Sequence, residues 1–150
     1  SLLRPDGLMH IGLYSALARR NIAKAREFVT ARGHGSSADD IRRARQELAA
    51  AAASEPAFVD VIRYPDFYAT SECRDLLFHA QECDFTIPQI QSFLDENGLK
   101  FLGFLRPDAL AAFRQRFPAQ DATELGLWHQ FETENPDMFK GMYEFWITRR

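Results

Sequence analysis

The feature that most limits what this chain can fold into lies near its beginning. Arg4-Pro5-Asp6-Gly7 is a turn signature, with proline where φ must sit near its fixed value and glycine where a left-handed residue is needed. Leu8, Met9, Ile11, Leu13 and Tyr14 then form a nearly continuous apolar run. Such a run predicts a strand buried on both faces, as in a parallel sheet. A strand of this kind needs neighbours on both sides. Only seven residues precede Leu8, so the chain is expected to open in the middle of a sheet.

The segments that follow alternate between helical and extended patterns. Over 15–32, Ala18, Ile22, Ala25 and Val29 make a helical stripe ended by Gly33-His34-Gly35. Ser36 and Ser37 cap a second helix over 38–53, whose stripe of Ile41, Ala44, Leu48 and Ala51 is narrow enough to predict a surface position or one outside the main core. Arg42, Arg43 and Arg45 interleave there with Asp39, Asp40 and Glu47, which reads as a solvated face. A short segment over 57–63 leads to a loop, Tyr64-Pro65-Asp66-Phe67-Tyr68, with three exposed-looking aromatics. Thr70 or Ser71 then caps a helix to about Gln81, with Glu72, Asp75 and His79 on one face and Arg74 on another.

Thr86 and Pro88 open a helix over 89–96 that is expected to bury Ile90, Phe93 and Leu94 before Asn97-Gly98 stops it. An apolar strand over 99–105 should lie inside the sheet and near the first strand. Helices follow from Pro107 to Phe117 and, opened by the capping-box-like Asp121-Ala122-Thr123-Glu124, through Leu125, Leu127, Trp128 and Phe131. The last strand lies within 139–148. The expectation is a single α/β domain over 1–150 with about three strands, mixed parallel and antiparallel, and about six helices.

Composition narrows the classes of function. At 46% hydrophobic and 26% charged, the chain can close one ordinary core, and most of its thirteen phenylalanines are expected there. A net charge of -3 gives no basic face for nucleic acid. Cys73 and Cys83, ten apart on a helix and its exit, do not converge for a disulfide and read as reduced thiols. No apolar run approaches the ~18 residues needed to cross a bilayer, and no signal pattern opens the chain, so no membrane is expected and a cytoplasmic location is.

The run from Leu3 to Ser15 resembles the turn and fifth strand of class I S-adenosylmethionine-dependent methyltransferases, with Asp6 where that family usually has glycine. The stretches Phe67 to His79, Asn97 to Phe104 and Met142-Tyr143-Glu144-Phe145-Trp146 resemble bacterial methyltransferases of this kind, often joined to tetratricopeptide repeats. No Gly-x-Gly follows a strand, so the cofactor-binding loop is absent from this sequence. The resemblance therefore implies the C-terminal portion of a Rossmann-like methyltransferase sheet, with a helical substrate-side insertion over about 34–98 and a last strand inserted antiparallel beside the fifth.

It further implies that S-adenosylmethionine serves the parent enzyme but is not held by this part alone. The missing N-terminal half of the domain is one expected partner. A second copy, paired through the exposed strand edge, is the other. The implied substrate wall is formed first by Tyr14 and Ser15, at the C-terminal end of a central strand where open α/β sheets place their ligands. Tyr68, Glu72, Arg74 and His79 come second. Two other readings compete. A self-sufficient interaction domain would use the aromatic loop 64–68 and Trp128 to Phe131 without catalysis. A metal site on Glu72, Asp75 and His79 would need an ion shared at helical spacing, although neither His-x-x-x-His nor Glu-x-x-His is present.

Overall fold

The computed structural model describes residues 3–79 and 82–150. Among them the chain has the expected α/β class, with seven α-helices and a four-stranded sheet of order β2-β1-β4-β3. It divides into two compact units, Ser1–Ala18 with Cys83–Arg150 and Arg19–Glu82. The helical insertion expected over about 34–98 overlaps the second unit, while the helix at Ile87–Glu96 belongs to the first.

The first unit holds the sheet. Strand β1 (Met9–Ser15) pairs parallel with β2 (Asp84–Phe85) only at Tyr14 and Ser15, and antiparallel with β4 (Tyr143–Arg149) from Met9 opposite Ile147 to Leu13 opposite Tyr143. Strand β3 (Leu99–Phe104) pairs only with β4, with a bulge between Phe101 and Gly103. The last strand thus lies antiparallel between β1 and β3, which run parallel to each other.

Two expectations change here. β3 is an edge strand that pairs only with β4, which separates it from β1, so it does not lie inside the sheet. β1 is likewise not buried on both faces. Met9, Ile11 and Leu13 pack on the core, whereas His10 and Gly12 are exposed. Strand β2 has two residues, too few to leave a periodic signal in the sequence.

Three helices close the core of this unit. Helix α5 (Ile87–Glu96) starts at a full capping box between Thr86 and Gln89 and buries Ile87, Ile90 and Leu94. Phe93, expected inside, is 56% exposed because it falls off that stripe. Asn97-Gly98 ends the helix as expected, with Gly98 at φ +60 and open space around it. A Cβ there meets only backbone strain, so Gly98→Ala should cost about 1 kcal/mol, read as a lower urea midpoint at unchanged slope.

Helix α6 (Pro107–Arg116) buries Ala109 and Phe113, and α7 (Leu125–Glu134) buries Leu125, Trp128 and Phe131. The expected capping box at α7 does not form. Asp121 instead accepts the Thr123 N–H at 2.9 Å in the preceding turn, and Glu124 occupies the cap position without a side-chain bond. Phe104 sits in an aromatic cluster with Trp128, Phe139, Tyr143 and Phe145 at centroid separations of 4.9, 4.8, 5.7 and 5.8 Å.

The second unit is helical: α1 (Arg20–Ala31), α2 (Ala38–Ala51), α3 (Pro56–Ile62) and α4 (Thr70–Phe78), with a short 3₁₀ turn at Pro65–Phe67. Ser37 caps α2 by accepting the Asp40 N–H at 3.1 Å. The narrow stripe of α2 lies outside the main core, the second of the two positions expected, and not on the surface. Ile41, Ala44 and Leu48 are fully buried in a second hydrophobic core with Ile22, Ala25 and Val29 of α1. Arg42 and Arg43 are solvated as expected, pairing with Asp39 and Asp40, whereas Arg45 is half-buried over the Phe67 ring. The cap of α4 is Ala69, without a side-chain bond, and the helix ends at Phe78, short of the expected Gln81, which lies outside the described residues.

Candidate functional site

The C-terminal end of β1 is where a parallel strand presents its loop to a ligand, and the chain places its most unusual polar group there. Ser15 is fully buried, and its Oγ donates to Oε1 of Glu132 at 2.6 Å while accepting the Ala18 N–H at 3.0 Å. The Tyr143 hydroxyl donates to the same Glu132 oxygen, also at 2.6 Å. One carboxylate oxygen therefore joins the end of β1, the last turn of α7 and the start of β4. Both are short O–H···O hydrogen bonds to one buried oxygen. Burial, reinforced by the Glu132 carboxylate, pushes the Tyr143 hydroxyl far above the usual tyrosine value.

Ser15, expected on the substrate wall, has its side chain buried and bonded inside the sheet unit, and Glu132 and Tyr143 are not among the site residues expected from the sequence. A signal for Glu132 was present. It lies seven residues after Leu125 and four after Trp128, so a carboxylate occupies the apolar stripe of α7. Tyr143 alternates with Phe145 and Ile147 on the core face of β4, which marks its ring as buried but not its hydroxyl as engaged. Tyr14, beside Ser15, is half-buried.

The other four predicted site residues all lie in the second unit. Tyr68 is 62% exposed and meets the ring of Phe67 edge-on at 5.5 Å. Glu72 and Arg74 are exposed on α4, where Arg74 Nε donates to the Ser36 carbonyl at 3.1 Å. His79, also exposed, is the residue at which that helix ends. Among the described residues, no three His, Cys, Asp or Glu side chains come together in a way that could hold a metal ion.

The aromatic segments of the interaction-domain reading fare differently from expectation. Phe67 is 3% exposed, Trp128 0% and Phe131 2%, so neither segment presents its rings as a continuous surface. The cause is packing: Arg45 lies over the Phe67 ring, and Trp128 stacks on Phe113 at 4.1 Å.

A second buried ionic group belongs to the helical unit. Glu82 Oε2 accepts Arg26 Nη2 at 2.8 Å, its Oε1 forms an ion pair with Arg19 Nε at 2.6 Å, and Arg26 Nε donates to the Leu76 carbonyl at 2.9 Å. Burial alone would raise the Glu82 carboxyl, but the two guanidinium groups outweigh it and hold the carboxyl below its usual value. This arrangement ties α1 to the exit of α4 and leaves both carboxylate oxygens engaged.

Cys73 is buried and burial pushes its thiol up, whereas Cys83 is exposed. No helix among the described residues is long and apolar enough to cross a membrane. No protein-family model and no curated protein matches the chain.

Proposed function

We propose that this chain is the C-terminal, substrate-side part of a class I S-adenosylmethionine-dependent methyltransferase, catalytically silent without the half that carries the cofactor loop. The observation that carries this reading is the placement of the last strand, antiparallel to and directly beside β1, with β1 and β3 parallel on its two sides. The same insertion is implied by the resemblance of the residue 3–15 run and of Met142 to Trp146 to that family.

On this reading the cofactor supplies the methyl group, and this chain's residues position the acceptor and exclude water from an in-line displacement. Tyr14 faces the acceptor from the end of β1. Ser15, with its hydroxyl engaged by Glu132, holds that strand end in place. Within the helical unit taken by itself, Tyr68, Glu72, Arg74 and His79 are the exposed candidates that the resemblance names for acceptor contact. The association with tetratricopeptide repeats and a cytoplasmic location belong to the same proposal.

The test is calorimetric titration with S-adenosylmethionine of this chain and of a polypeptide extended upstream through the coding sequence that precedes Leu2. The extended polypeptide should contain a strand ending in Gly-x-Gly and bind in the micromolar range, while the chain alone should give no saturable heat. Micromolar binding by the chain alone, or an extension that lacks the glycine motif and does not bind, overturns the proposal.

A further inference from the structure

The chain crosses between the two units twice, at Ala18–Arg19 on the way out of the sheet unit and at Glu82–Cys83 on the way back. Each unit pins its own side of these crossings. In the sheet unit, β1 and β2 pair at Tyr14 opposite Asp84 and Ser15 opposite Phe85, and the Ala16 N–H donates to the Phe85 carbonyl at 2.9 Å. In the helical unit, the residues at its two limits meet. Arg19 Nε and Glu82 Oε1 form an ion pair at 2.6 Å, with each side chain only 9% exposed.

Helix geometry brings a second guanidinium to the same carboxylate. Arg26 lies seven positions after Arg19, close to two full turns of α1, so both arginines project from one face. Arg26 Nη2 donates to Glu82 Oε2 at 2.8 Å, and its Nε donates to the Leu76 carbonyl at 2.9 Å, in the last turn of α4. The hydrophobic cores divide along the same line. Among the described residues, the core around Ile22, Ile41 and Leu48 draws only on side chains within 19–82, and the core around Phe104 and Trp128 only on side chains within 1–18 and 83–150.

We propose that Arg19, Arg26 and Glu82 form a clasp that joins the two ends of the helical unit to each other, so that this unit opens and closes as one cooperative body while the sheet unit stays folded. A segment whose ends are joined by its own side chains does not need its host to bring them together. The clasp concentrates that role in one carboxylate. Removing it sets two like charges against each other in a poorly solvated place and releases the exit of α4 from the start of α1. The inference concerns the ends of the helical unit alone and does not depend on the methyltransferase reading.

The test is hydrogen exchange of the 150-residue chain, followed by mass spectrometry over a series of urea concentrations below its unfolding transition. In the wild type, the slowest amides of α1 and α4 should follow one isotherm and those of α7 and β4 a separate one. Glu82→Ala should speed exchange across α1 to α4 by about tenfold or more while leaving α7 and β4 within about twofold. The urea midpoint of tryptophan emission should not move, because Trp128 and Trp146, the only tryptophans in the chain, both lie in the sheet unit. Lys24→Ala, which breaks the exposed pair with Glu55, should change exchange in either unit by no more than about twofold. A helical unit fully open in Glu82→Ala beside an unmoved tryptophan midpoint supports the clasp equally. One common isotherm for both units in the wild type overturns the proposal. So does Glu82→Ala acting on both units alike or on neither, or an equal effect from Lys24→Ala. Cofactor titration of the extended polypeptide tests the enzymatic reading separately.

Discussion

Replacing Phe104 by alanine should cost the sheet unit about 3–5 kcal/mol, the range for removing a buried aromatic ring from a close-packed core. The ring is 7% exposed and touches Phe101, Trp128, Phe139, Tyr143 and Phe145, five aromatic neighbours drawn from both the sheet and the helices that cover it. Its removal strips each of them of a contact, and rings this rigid cannot collapse into the space. The Trp128 ring, edge-on to Phe104 at 4.9 Å, gives the readout as its emission changes in a urea titration. Leu8→Ala, at a side chain 62% exposed, should stay within about 0.5 kcal/mol in the same assay. Equal losses at the two positions would show that the aromatic cluster does not hold the unit together.

Glu132→Ala should produce the other large loss, about 3 kcal/mol, for a different reason. The carboxylate oxygen that it removes is the acceptor for two buried hydroxyls, and each donor left without a partner costs roughly 1–3 kcal/mol. Tyr143→Phe removes a single donor and leaves the carboxylate with the other, and Ser15→Ala also takes the acceptor from the Ala18 N–H, so each should cost less than Glu132→Ala, about 1 to 2 kcal/mol. Because the two hydroxyls share one oxygen, the double variant should depart from the sum of the singles. Glu132→Gln keeps an acceptor at the same reach and should recover about half of the loss.

The raised Tyr143 value gives this cluster a pH signature. The native state holds a phenolic proton that the unfolded chain releases near its ordinary value of 10.0. The stabilisation is fully present below that pH and declines above it, because the unfolded state alone gains from losing the proton. Between pH 10 and pH 11, urea titrations should show the wild type losing about 1 kcal/mol more than Tyr143→Phe. Parallel pH profiles for the two proteins would remove the buried phenol from the account.

Local chemistry was legible wherever neighbouring residues decide the backbone. Gly98 ends α5 because only a left-handed residue continues the chain there, and the Thr86 and Gln89 pair opens the same helix reciprocally. Ile22, Ala25 and Val29 lie on one buried face because their spacing follows the helical period. The first strand was legible from its apolar run within one residue of its limits. Its exposure was not, because an apolar run states what a side chain tolerates and not which neighbours cover it.

Phe93 marks the same boundary for helices. It lies beside the stripe of α5, and only the position of that helix over the sheet decides that Ile90 and Leu94 turn inward while Phe93 does not. Phe67 is the converse case, a loop aromatic that the second core absorbs.

For the candidate site, the hydrophobic run located the end of the first strand, and the resemblance named Tyr14 and Ser15 there. Neither could join Ser15 to Glu132, 117 positions away, or Glu132 to Tyr143. The amino-acid sequence by itself determined the α/β class, the helix periods and the turns, since each depends on residues within a few positions of one another. The order of the strands, the face each side chain occupies and the sharing of one buried carboxylate oxygen by two hydroxyls were decided only by tertiary structure. Those depend on which distant surfaces exclude water together, and burial strengthens a hydrogen bond only after the surrounding groups have closed over it.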